Sequence, residues 1–185
     1  PPPPNESSAA SDVYKRQIWY NGNLLEWKNA NVHVLNHGLH YASCVFEGER
    51  AYRGKIFETV KHTQRLFNSA KSLDMKIPFS EKEIVRAKDI LLEKNSLSDA
   101  YVRPVVWRGS EMMAVSAQAT KINVAIAVWE WPSYFDPEQK MQGIKLDIAK
   151  WRRPSPDCGP VLAKAAGLYM ICTLSKHEAE AKGYS

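Results

Sequence analysis

Cysteine is scarce in this 185-residue chain. Cys44, Cys158 and Cys172 are odd in number, far apart and without a C-x-x-C pair. That spacing offers neither a disulfide framework nor a cysteine zinc site, and it fits free thiols in a reducing cytoplasm. The nine glycines form no G-x-G-x-x-G or P-loop pattern, so nothing in the sequence cradles a dinucleotide or a nucleoside triphosphate. Charge of one sign is not massed anywhere. The net charge of +5 comes from 25 basic and 20 acidic residues that alternate along the chain, which gives no basis for nucleic-acid binding. Long apolar runs are missing too: the stretch from Cys158 to Ser175 carries Gly, Pro, Thr, Ser and a central Lys, which argues against a membrane span, and no secretory signal is visible. His33, His37, His40 and His62 have no acid or cysteine at ligand spacing, so no metal is assigned.

What is present is a globular composition, 44% hydrophobic and 24% charged, with six Trp and eight Tyr. Residues 1–17 stand apart. Four prolines and a polar, aperiodic stretch give nothing to bury, so this segment reads as a non-native or disordered tail. Asn21-Gly22 and Arg53-Gly54 each sit between short apolar or aromatic runs and predict two tight hairpins. Val32-His33-Val34 predicts a further strand. A helix is expected from Thr59 to Leu73 with Val60, Leu66, Phe67, Ala70 and Leu73 on its apolar stripe. Ser80-Glu81-Lys82-Glu83 forms a capping box for a second helix ending near Lys94 and Asn95. Tyr101–Trp107 and Ile122–Trp129 predict strands, with Pro104 pushing the first towards an edge or a bulge. Residues 18–131 thus read as a small α/β domain and 132–142 as an interdomain loop. Residues 143–185 read as the opening of a larger domain, with a strand at Gly143–Lys150 and a helix after Pro160. One strand makes no sheet, so the chain reads as cut short and is expected to be inactive or nearly so by itself.

The chemistry concentrates between Asp157 and Lys176, where Lys164 is the only formal charge, set among small and apolar residues. Burial disfavours a charged amine, and a neutral amine is a nucleophile that forms a Schiff base with an aldehyde or ketone. The competing reading is a lysine that snorkels from a buried helix. On an ideal helix Lys164 and Tyr169 would stand roughly 140° apart. Both reach one ligand only if Lys164 lies in the loop feeding the helix. Ala165, Ala166 and Gly167 would permit such an entry and let a flat ligand approach the backbone.

Four further motifs accompany this lysine: Tyr41-Ala42-Ser43-Cys44-Val45-Phe46-Glu47-Gly48, His62-x-x-Arg65-Leu66, Tyr101-x-Arg103 and Trp131-Pro132-Ser133-Tyr134. An arginine such as Arg65 suits a phosphate, or is simply solvated on a helix face. Alternation puts Tyr101 and Arg103 on one strand face, where Arg103 receives an anion or pairs with an unseen acid. Together with the stretch from Trp151 to Tyr184, these motifs resemble the fold-type IV pyridoxal-phosphate enzymes, and among them the branched-chain amino acid aminotransferases. The similarity runs from about Ile18 to the last residue.

The resemblance implies a truncated fold-type IV aminotransferase-like α/β architecture and a pyridoxal 5'-phosphate cofactor on Lys164, with Arg65 at its phosphate and Tyr169 at its phenolic oxygen. It assigns Tyr41, Phe46, Gly48, Tyr101, Arg103 and Tyr134 to the substrate. Arg103 receives the side-chain carboxylate of glutamate, and Tyr41, with Val115, reaches a partner subunit's site. It further implies amino transfer between leucine, isoleucine or valine and 2-oxoglutarate, by a homo-oligomer. Leu168 stands where some members carry Asn. The acid that protonates the cofactor's ring nitrogen lies after Ser185. Other readings of the same sequence are a D-amino-acid aminotransferase, an aminodeoxychorismate lyase or a non-catalytic binding domain with a structural Lys164.

Overall fold

The computed structural model describes residues 16–131 and 137–184. Strands β1 (Gln17–Tyr20) and β2 (Asn23–Glu26) form the first hairpin. Asn21 and Gly22 both take positive φ, 48° and 93°, the left-handed pair that matches the twist of a two-residue turn. A short helix α1 (His37–Tyr41) follows, then β3 (Cys44–Phe46), β4 (Glu49–Tyr52) and β5 (Lys55–Ile56). Arg53-Gly54 turns the second hairpin with φ of 50° and 76°. Helices α2 (Thr59–Ser72) and α3 (Glu81–Lys94) precede the two long strands β6 (Ala100–Arg108) and β7 (Ile122–Trp129). Helices α4 (Pro137–Gln142) and α5 (Met170–Ala181) complete the described elements.

The seven strands make one antiparallel sheet in the order β2-β1-β7-β6-β4-β5, with β3 also on β6. Helices α2 and α3 cover one face. Leu66, Ala70, Ile84 and Leu91 pack there against Val45, Ala51, Val102, Val106, Val124 and Ile126, all essentially inaccessible to water. Each large side chain buried this way contributes about 1.5–3 kcal/mol of hydrophobic stabilisation. The capping box is formed: Ser80 Oγ accepts from the Glu83 N–H and Glu83 Oε2 accepts from the Ser80 N–H. Ser80→Ala is expected to cost about 1 kcal/mol, seen as a lower urea midpoint at unchanged slope.

Four local expectations are corrected. Val32-His33-Val34 is not a strand. No strand among the described residues pairs with it, Val32 and Val34 are exposed, and β-branched content acts only where there is a pleated surface to pack on. Pro104 is neither at an edge nor in a bulge, because β6 lies between β7 and the β3/β4 pair. Glu47 donates its N–H to the Pro104 carbonyl at 2.9 Å, and Pro104 has no N–H to return. The ladder loses that bond while the register runs on unchanged from Phe46↔Val105 to Glu49↔Val102. On α2, Val60 is exposed, and Thr63 and Ser69 take buried places on the inner face. Residues 143–149 form no strand: Ile144, Leu146 and Ile148 are exposed, and no strand among the described residues offers them a ladder. No helix among the described residues is long and apolar enough to cross a membrane.

Candidate active site

The segment after Pro160 does not enter a helix directly. Ala163 N–H closes a turn on the Pro160 carbonyl, residues 166–168 form a single 3-10 turn, and α5 starts only at Met170. Lys164 therefore sits in the loop, and its Nζ reaches the Tyr169 hydroxyl at 2.5 Å. The loop is held as an addition to the sheet edge. Phe46 N–H donates to the Lys164 carbonyl at 3.1 Å, Val45 bridges Ala165, and Lys164 N–H donates to Ser69 Oγ at 2.9 Å. Ala163 and Ala165 are buried towards the core, so alternation turns Lys164 the other way.

Lys164 is only half-buried, which corrects the expectation of an enclosed amine. The apolar neighbour Leu162 points into solvent at 95% exposure instead of roofing it. Gly167 also serves the packing of the loop. A side chain there would meet the Ala42 Cβ at 3.1 Å, so its bareness lets the 3-10 turn lie against the end of α1.

Phe46 is the wall shared by the basic groups. Its ring meets Tyr169 edge-on at 4.8 Å between centroids; Lys164 Nζ lies 4.9 Å and Arg103 Cζ 4.7 Å from the ring centre. Tyr101 and Arg103 share the expected face, and Arg103 donates to the Tyr101 hydroxyl at 2.9 Å. A Cβ at position 48 would stand 2.0 Å from that hydroxyl, so only glycine leaves room for Tyr101. The Tyr101 ring packs on Trp129 and Trp131.

Arg65 comes from α2, and its side chain is about half exposed (53%). Glu47 grips it with both oxygens, at 2.6 Å to Nε and 2.7 Å to NH2, while His62 Nδ1 lies 2.8 Å from Glu47 Oε2. Burial pushes the Glu47 carboxyl up. Hydrogen bonds from Arg65 and His62, with their charge, outweigh that and hold it below the ordinary glutamate value. The hydrogen bonding that Arg65 donates to Glu47 leads the effects that raise Arg65. Arg65, Arg153, Lys164, Leu168, Tyr169 and Cys172 line a hollow of about 200 Å³. A larger hollow of about 610 Å³, bordered by Ile18, Trp27, Val105 and Trp107, lies on the sheet face away from α2 and α3. It is mostly apolar and does not include the amine.

Lys164, Tyr169, Arg65, Phe46, Gly48, Tyr101 and Arg103 are thus brought to one corner of the sheet. Tyr41 is not among them: it stacks on His37 at 4.5 Å and is 46% exposed. Val115 is exposed in the loop between β6 and β7, and Tyr134 lies outside the described residues. Glu47 and His62 escaped the reading of single residues, although signals were there. Val45, Glu47, Glu49 and Ala51 alternate onto one buried face, and His62 and Arg65 stand one helical turn apart.

A family model, "Amino-transferase class IV", matches residues 44–185. A probable branched-chain-amino-acid aminotransferase of Rickettsia typhi is 43% identical over 169 residues, 91% of this chain and 57% of the relative. The branched-chain-amino-acid aminotransferase of Pseudomonas aeruginosa is 42% identical over 170 residues, 90% of this chain and 55% of the relative. Among solved structures, the T.th. branched-chain amino acid aminotransferase with pyridoxamine 5'-phosphate superposes with a TM-score of 0.88 at 35% identity. That match covers 94% of this chain and 58% of the other. The chain spans a little over half the length of the relatives it matches. Its architecture, mixed helix and antiparallel sheet, is that of the fold-type IV structures. On the family match and these identities together, the chain belongs to the class IV aminotransferases.

Proposed function

We propose that the full-length protein transfers the amino group between branched-chain L-amino acids and 2-oxoglutarate, with pyridoxal 5'-phosphate held on Lys164. The observation that carries the reading is the convergence of Lys164 Nζ and the Tyr169 hydroxyl beside a hollow that Arg65 also lines. An amine, a phenol, a guanidinium and an aromatic wall fit a planar aldehyde that bears a phosphate. When bound, that cofactor supplies a ring that withdraws electrons from the substrate α-carbon.

The remaining work falls to the chain. Lys164 would hold the cofactor through its aldehyde carbon, and its Nζ, when free, would hold and move the α-carbon proton. Tyr169 orients that amine and would hold the cofactor at its phenolic oxygen. Arg65 takes the phosphate through the part of its guanidinium that Glu47 leaves open. Phe46, Gly48 and Tyr101 exclude water from a branched aliphatic side chain, and Arg103 receives the carboxylate of glutamate. One pocket thereby accepts an apolar and an acidic substrate. The T.th. relative has been solved with both kinds of group, N-(5'-phosphopyridoxyl)-L-glutamate and 4-methylvaleric acid. Tyr134 would contact the substrate, and the segment 132–142, which carries α4, would join the domain at 18–131 to the larger one begun at 143. Tyr41 and Val115, both exposed, would reach a partner's site in a homo-oligomer.

Arg103→Met tests the substrate assignment. It is expected to raise KM for glutamate and 2-oxoglutarate by roughly two orders of magnitude, with leucine changed far less in single-turnover measurements. Equal losses for leucine and glutamate would refute the role of Arg103. Turnover confined to D-amino acids would refute the whole reading.

A further inference from the structure

Glu47 is fully buried between β3 and β4, a position whose neighbours Phe46 and Gly48 face the opposite side of the sheet. A buried carboxylate is costly unless fully paired. Here both oxygens are used: Oε1 on Arg65 Nε, and Oε2 on Arg65 NH2 and His62 Nδ1. The Arg65 side chain is half exposed and belongs to a long, flexible type that water would otherwise leave free to move. Its planar fork takes one orientation when two parallel bonds hold it from below. The Nε edge is consumed by Glu47, so the NH1 side remains for an incoming anion. His62 stands one turn before Arg65 on the same helix face and holds the second carboxylate oxygen. Beyond it, Glu49 is matched by Lys88 at 2.6 Å.

We infer that Glu47 is a positioning residue: through its two-point grip on Arg65 it fixes the guanidinium as the phosphate-binding arm of the site. The inference rests on the proposed reading of Arg65. Glu47 itself touches no substrate. Its effect reaches the phosphate through Arg65 alone.

The test uses the full-length protein and compares binding of pyridoxal phosphate with that of unphosphorylated pyridoxal, by absorbance titration. Glu47→Gln keeps the shape of the side chain and removes its charge. It is expected to weaken pyridoxal phosphate roughly tenfold, the scale of one hydrogen bond to a charged group, and to leave pyridoxal unchanged. Glu47→Asp should recover part of the loss. In an Arg65→Ala background, Glu47→Gln should cost no further affinity. A merely structural role would lower both ligands together and would persist without Arg65, and either result overturns the inference. If Arg65→Ala discriminates against the phosphate and Glu47→Gln does not, the inference fails and the reading of Arg65 stands. If Arg65→Ala shows no phosphate discrimination, both fall. Should Glu47→Gln fold poorly, Arg65→Lys keeps the charge without the fork and must show the same selective loss.

Discussion

Lys164→Ala in the full-length protein is expected to abolish the borohydride-reducible link to pyridoxal phosphate and to lower transamination by about 10³-fold or more. The size follows from what the side chain is asked to do. Among the described residues lining the hollow, Lys164 supplies the amine, and Arg65 and Arg153 are guanidiniums that stay charged and do not substitute for it. The Tyr169 hydroxyl at 2.5 Å is placed to orient a proton on Nζ but has no reason to carry one to carbon by itself. Two functions are lost with this side chain, covalent capture and proton transfer. The loss should therefore appear in kcat, with thermal stability little changed, since Lys164 is half-buried and packs no core. Peptide mapping after reduction decides the matter: label on another lysine, or on none in the unmodified sequence, removes the basis of the proposal.

A comparable effect on stability is expected at the buried pair of Lys88 and Glu49. Both side chains are wholly inaccessible, 2.6 Å apart, with Lys88 Nζ also donating to Thr63 Oγ1 at 2.7 Å. Burial pushes the Glu49 carboxyl up and the Lys88 amine down, and each partner's charge opposes that shift. Removing one partner strands the other charge in the core. Lys88→Met or Glu49→Gln alone should cost about 3–5 kcal/mol. The double change Lys88→Met with Glu49→Leu leaves no buried charge and should recover most of that loss. Urea unfolding of the two single variants and the double variant measures this. Additive losses would show that the pair does not act as a unit.

Much of this arrangement was legible along the chain. Asn21-Gly22 and Arg53-Gly54 turn where their backbone freedom predicts, and Ser80 and Glu83 cap α3, because those signals act over two to four residues. The placement of Lys164 ahead of the helix was also readable, since only that geometry lets it meet Tyr169. Pro104 misled because a missing N–H says nothing about which neighbour faces the gap. Val32–Val34 and 143–149 misled because a strand exists only by pairing. Nothing local to Lys88 signals its partner, because Glu49 meets it only through the fold.

By itself, then, the order of amino acids determined the two hairpin turns, the cap of α3, the lengths of α2 and α3 to within a residue or two and the set of reactive groups, because each depends on neighbours a few positions away. Only the folded chain decided which of those groups meet. Glu47 lies 18 residues from Arg65, Ser69 lies 95 from Lys164, and Phe46 joins Arg103 to Tyr169. Contacts at such separations are made by sheet register and helix packing, and neither is written in any local stretch.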